Sequence, residues 1–175
     1  HYPLRRQRQM CIRDRPASAR VALAVHGYTD YFFNTELVDR FARRGHRLYG
    51  LDLHRCGRSW RPGQTPHFTT DLSRYDRELD LALAVMSAEN PGARSVITGH
   101  STGGLVVSLW LDRVHTRGDT AALGLAGLVL NSPFLELNGP PVLRTRATAG
   151  ALVAASRVNK TRVVRAAGKG GYGLA

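Results

Sequence analysis

The chain has few of the residues that would open alternative readings. Its 175 residues include only two cysteines, Cys11 and Cys56. Two cysteines make no disulfide framework and no C-x-x-C metal pair, so neither a metal nor any other cofactor is expected. No apolar stretch approaches the roughly 20 residues needed to span a bilayer. No apolar segment follows the N-terminus, so no secretory signal is read there and a cytoplasmic location is expected. Acidic residues are scarce, 13 against 25 Lys and Arg, for a net charge of +12. That excess invites a nucleic-acid reading, but it sits at the ends. Residues 1–20 hold six Arg and one Asp, and residues 156–175 hold three Arg and two Lys. The 135 residues between them carry 14 Arg against 12 acids. A basic patch on a folded face would suggest nucleic acid; basic tails do not, and no nucleic-acid partner is expected.

What remains is an ordinary globular composition, 43% hydrophobic and 22% charged, at a length suited to one domain. Residues 1–20 show neither helical nor strand periodicity and read as a disordered tail. Within it, Gln7 to Arg15 also reads as a translated sequencing-adapter scar, which would make it non-native. A core domain is expected over 21–155, followed by a basic, weakly structured tail over 156–175.

Val21-Ala22-Leu23-Ala24-Val25 is apolar without alternation, as in a central parallel strand covered on both faces. Helical spacing over 36–44 ends at Gly45. A second strand is expected over 46–53, then a turn-rich loop from Arg55 to Gly63. Asp71 or Ser73 can cap a helix reaching Met86 or Glu89, with Leu72, Tyr75, Leu79, Ala82, Leu83 and Met86 on its buried stripe. Strands are read at Arg94–Thr98 and Leu125–Leu130, with a helix from Leu105 to about Arg117 between them. Residues 140–155 are weakly helical, and 168–171 look unstructured. The alternation predicts an α/β fold, a mainly parallel sheet with helices on both faces. The strands' C-terminal ends should carry the site.

At one of those ends stands Gly99-His100-Ser101-Thr102-Gly103, a G-x-S-x-G sequence between strand and helix. A serine on such a turn is forced into strained geometry with its hydroxyl exposed, and glycines flank it where side chains would collide. Three other segments follow strands in step: His26-Gly27-Tyr28, the stretch Asp52 to Ser59, and Asn131-Ser132-Pro133-Phe134-Leu135.

With these four pieces, residues 20–140 resemble the N-terminal part of the α/β-hydrolases. Within them they resemble the serine aminopeptidase S33 or lysophospholipase (monoacylglycerol-lipase-like) group. The resemblance implies a partial α/β-hydrolase fold, with Ser101 as nucleophile and the backbone N–H groups of Tyr28 and Thr102 as oxyanion hole. His26, Gly27, Gly99 and Gly103 would shape the loops, His26 as architecture rather than base. A small ester or lipid is the implied substrate, with peptidase activity as an alternative within the same chemistry. Peripheral membrane contact and oligomeric state stay open.

The rest of the triad is not in the sequence. In this fold the order is Ser, acid, His. After Ser101 comes a single histidine, His115, about 20 Å away along a helix. Glu136 follows the fourth strand, where some of these hydrolases carry their acid, but no histidine is there for it to orient. The chain is therefore read as an incomplete hydrolase, inactive as it stands and truncated at both ends. The other reading is a non-catalytic binding protein of the same fold.

Overall fold

The computed structural model describes residues 10–11, 18–119, 123–136 and 141–159. They fall into two compact units, His1–Leu135 and Glu136–Ala175; the boundary expected after 155 lies inside the second. The first unit is built on a sheet of β1 (Met10–Cys11), β2 (Arg20–Val25), β3 (Arg47–Leu51), β4 (Arg94–His100) and β5 (Leu125–Asn131), in the order β1-β3-β2-β4-β5. The last four are parallel, as their alternation with helices predicts, and β1 is antiparallel to β3. Met10 and Cys11 pair with Leu51 and Gly50. The stretch read as disordered thus contributes two residues to the sheet edge, because a two-residue strand borrows its order from its partner and needs no periodicity of its own. The remainder of that tail, and residues 168–171, lie outside the described residues.

Three helices flank the sheet: α1 (Thr35–Arg43), α2 (Asp76–Glu89) and α3 (Thr102–Thr116). Strand alternation sorts β2 between two cores. Val21, Leu23 and Val25 pack with Tyr49, Leu51 and Ile97 and with Leu79, Met86, Val107 and Trp110 of α2 and α3. Ala22 and Ala24 pack with Leu48, Phe32 and Val38 on the α1 side. Small residues there leave room for Phe32, whose ring lies so close to Gly50 that a Cβ at that glycine would overlap it.

Local signals account for the helix ends. Asn34 caps α1, its side chain accepting from the Leu37 N–H at 3.0 Å. Asp71 accepts from the Ser73 N–H at 2.8 Å and opens a 3-10 turn, Leu72–Tyr75, leading into α2. The Arg113 fork on Asp76, with both N–O distances 2.6 Å, joins α3 to α2. The fully buried Trp110 donates its indole N–H to Asp80 at 2.9 Å.

The α1 side is more open. A cavity of about 780 Å³ is lined by Ala22, Leu37, Phe41, Val96, Ala126 and Val129 among others, and Val129 of β5 is 53% exposed. In the second unit, α4 (Arg146–Val158) carries the weak helical signal of 140–155, with Thr145 as N-cap and no buried residue. Among the described residues no helix is long and apolar enough to cross a membrane.

Candidate active site

Ser101 lies between the last residue of β4 and the first of α3, at φ 50° and ψ −122°. Left-handed backbone at a non-glycine residue costs on the order of 1–3 kcal/mol and persists only where its surroundings enforce it. Here they do. The Ser101 N–H donates to the Asn131 carbonyl at 3.1 Å, and the Ser101 carbonyl accepts from the N–H groups of Phe134 (2.9 Å) and Gly104 (3.0 Å). The segment after β5 therefore clamps the turn from one side.

Close packing clamps it from the other. A Cβ at Gly99 would stand 2.8 Å from both Gly104 Cα and Val107 Cγ2. One at Gly103 would overlap the His26 carbonyl oxygen and reach 2.6 Å from that of Val25. Both obstacles at Gly103 are backbone and cannot rotate away. Gly27 touches the turn from the neighbouring loop, where an added Cβ would meet Ser101 Cβ at 3.1 Å. The loop after β2 is thus packed directly against the serine.

His26, which begins that loop, is buried. Its Nε2 accepts from the Leu53 N–H at 3.1 Å and its Nδ1 lies 2.8 Å from the Gly27 carbonyl. A ring that accepts at Nε2 carries its proton on Nδ1, so both nitrogens are occupied by backbone. Burial pushes its pKa down, more than the Gly27 carbonyl and the Asp52 and Asp30 charges push it up. His26 is a neutral strut. His100 is turned to the Asn131 carbonyl, its Nδ1 at 3.2 Å. His26 and His100 line a cavity of about 260 Å³ together with Asp30, Phe32, Thr98 and Asn131.

Tyr28 is 64% exposed, with its ring edge-on to His67 at 5.7 Å between centroids. No sequence pattern marks His67: the loop after β3 brings it over, and its backbone N–H donates to the Arg55 carbonyl at 2.9 Å. Asp52 and Glu78 are further buried groups whose environment spacing does not reveal. Glu78 accepts from the His54 N–H at 2.9 Å, on a helix position that pattern alone assigns to solvent. Cys56 is buried, and burial raises its thiol to about 12. Among the described residues no group of three His, Cys, Asp or Glu could hold a metal ion. His115 falls in the last turn of α3, and Glu136 opens the second unit.

A strained serine between a parallel strand and a helix, with a His-Gly loop packed on it, directs the comparison with known proteins. The family model for serine aminopeptidase S33 matches residues 16–168. The chain belongs to the serine aminopeptidase S33 family. As a member of that family it shares 28% identity over 113 residues with a monoacylglycerol lipase of Mycolicibacterium smegmatis, an alignment covering 64% of this chain and 39% of the relative. The S33 chain also superposes on the monoacylglycerol lipase of Paleococcus ferrophilus with a TM-score of 0.60 and 21% identity, covering 87% of this chain and 51% of that one. A soluble variant of monoglyceride lipase from Saccharomyces cerevisiae gives 0.59 and 16%, covering 86% and 47%. The fold is that of these α/β-hydrolases, and the S33 chain spans about half the length of the structures it matches.

Proposed function

We propose that the S33 chain carries the nucleophile half of a serine ester hydrolase. The observation that carries this reading is Ser101 itself, held at φ 50° where β4 meets α3, with Gly27 packed against its Cβ. The Ser101 hydroxyl oxygen attacks an acyl carbonyl and gives its proton to a general base. The carbonyl carbon becomes tetrahedral, and its oxygen takes the negative charge. The backbone N–H groups of Tyr28 and Thr102 receive that oxyanion, and such preorganised donors contribute about 3–4 kcal/mol each. The first turn of α3 adds the positive end of its dipole. Collapse of the tetrahedral species breaks the ester C–O bond, and the protonated base gives its proton to the departing alcohol. Water, deprotonated by the same base, then removes the acyl group as a carboxylic acid and restores the Ser101 hydroxyl.

The loops divide the work. His26, Gly27, Gly99 and Gly103 shape the site, and Ser101 reacts. His26, with both ring nitrogens occupied by backbone, is not the general base; the base and its orienting acid are read as lying outside these residues. The substrate class is a carboxylic ester of the monoacylglycerol or lysophospholipid kind, a reading supported by the monoacylglycerol lipases the chain is similar to.

The test is p-nitrophenyl ester hydrolysis by the 175-residue chain and by the chain extended in its reading frame beyond Ala175. The shorter chain is expected to give no more than roughly 10³–10⁴-fold over water, the residue left when triad members are missing. The extended chain is expected to turn over fully and to lose that turnover in Ser101→Ala. Extended-chain turnover that survives Ser101→Ala would overturn the proposal. So would an extension with no Asp followed by a His after predicted strands, which would favour a non-catalytic binding protein. Robust turnover by the shorter chain would overturn the assignment of base and acid to residues outside it.

A further inference from the structure

The loop that carries Tyr28 is fastened at both ends to one short segment after β3. At its start, His26 accepts from the Leu53 N–H. At its end, the Phe32 N–H donates to Asp52 Oδ1 at 3.0 Å, and the Phe32 carbonyl accepts from Arg58 Nη2 at 2.8 Å. Asp52 and Leu53 are consecutive, so both fastenings share one stretch of backbone. Residues 27–31 span the gap between them.

The second fastening is charged. The Asp52 side chain has no solvent exposure. Arg58 grips it with a two-point fork, Nε to Oδ2 at 2.6 Å and Nη2 to Oδ1 at 2.8 Å, and the Arg58 N–H adds a third bond at 3.0 Å. Planar, bidentate guanidinium–carboxylate pairs fix direction as well as distance, which an ammonium cannot do. The guanidinium also stands over the Tyr31 ring, 5.8 Å from its centroid. Gly57 closes the assembly at φ +44°, where a Cβ would overlap Tyr31 Cβ.

We propose that Arg58 and Asp52 are positioning residues for the Tyr28 amide, holding the Tyr28–Phe32 loop so that this N–H stays aimed at the oxygen developing beside Ser101. The proposal rests on the ester-hydrolase reading. An oxyanion donor must keep its place to within a fraction of an ångström to favour the transition state. This donor sits on a loop whose Tyr28 side chain is 64% exposed, and the hydrogen bond within residues 27–31, Tyr31 N–H to Asp30 Oδ1 at 2.8 Å, does not reach the Tyr28 amide. The Asp52–Arg58 pair supplies the missing constraint from a different loop.

The test uses the 175-residue chain, in which slow p-nitrophenyl acetate hydrolysis reports the oxyanion site without a base. Arg58→Lys keeps the buried charge balanced but loses the fork. Asp52→Asn combined with Arg58→Gln removes both charges and guards against a variant that fails to fold. Each is expected to raise amide hydrogen exchange at residues 28–32 about tenfold while β4 and α3 amides keep their rates. Each is also expected to lower kcat about tenfold at unchanged KM, because a loosened donor is lost from the transition state and not from the ground state. A purely structural pair would slow nothing selectively. Unchanged exchange at 28–32, or raised exchange with unchanged kcat, overturns the positioning role. Wild-type hydrolysis that Ser101→Ala leaves undiminished overturns the ester-hydrolase reading instead.

Discussion

The two loops that meet at Ser101 are held in place by different physics. The turn at Ser101 is fixed by what cannot fit: side chains at Gly99 or Gly103 would run into neighbouring backbone. The His26–Phe32 loop is fixed by what bonds it: a buried histidine, a fully buried carboxylate and an arginine fork. Packing constraints do not titrate. Hydrogen bonds to ionisable groups do. One half of the site should therefore be indifferent to pH and intolerant of volume, and the other the reverse.

The largest effect should come from violating the packing side. Gly103→Val places carbon atoms on the His26 carbonyl, and a loss of about 4 kcal/mol or more is expected, in the range reserved for severe core or backbone violations. A thermal melt checks it, and a variant that melts like the wild type would refute the steric account of the turn. Next comes Arg58→Ala, which leaves the Asp52 charge buried without its partner. Stranding a buried charge typically costs 3–5 kcal/mol; with the Arg58 side chain one-third exposed, the lower end, about 3 kcal/mol, is expected. Adding Asp52→Asn should recover part of the loss in urea titrations.

A smaller effect separates the loops by pH. Burial lowers the His26 pKa below its ordinary 6.5. The unfolded state therefore binds the proton more readily, and stability present above pH 6.5 is lost as pH falls below it. Burial works against the Asp52 charge, but the Arg58 fork and the Phe32 and Arg58 amides outweigh it and hold its pKa below 3.8. Its contribution is complete above that value and is lost only in stronger acid. Between pH 7 and 5, amide protection at 27–32, taken relative to the intrinsic exchange rate at each pH, should fall as His26 and the His67 ring against Tyr28 take up protons, while the Ser101 turn keeps its protection. Equal loss of protection in both loops would erase the distinction. The smallest effect is at Cys56, buried in the segment after β3 that carries Asp52 and Arg58, with its thiol pushed up to about 12. A thiol reagent at pH 8 should leave Cys56 unmodified in the native chain and react at once in denaturant, and native-state labelling would show that the segment after β3 opens freely.

The packing half was legible in the sequence because its signals are local. Five apolar residues before His26, and glycines spaced around Ser101, are patterns that a single stretch of chain can display. The parallel order of the last four strands followed from the same alternation. The bonded half was less legible. Asp52 and Arg58 stand six residues apart in a loop where neither periodicity nor spacing signals burial, and their shared target, Phe32, lies twenty residues before Asp52. Glu78 is hidden for the same reason, since a carboxylate on a helix looks solvated until a distant N–H, here that of His54, is found against it. Met10–Cys11 could not be foreseen as a strand because its order comes from β3.

The central claim is that Ser101 is the nucleophile. Intact-mass spectrometry after incubation with a fluorophosphonate tests it most directly. One adduct is predicted, formed slowly, mapping to Ser101 and absent in Ser101→Ala. Labelling that proceeds undiminished in Ser101→Ala would contradict the claim.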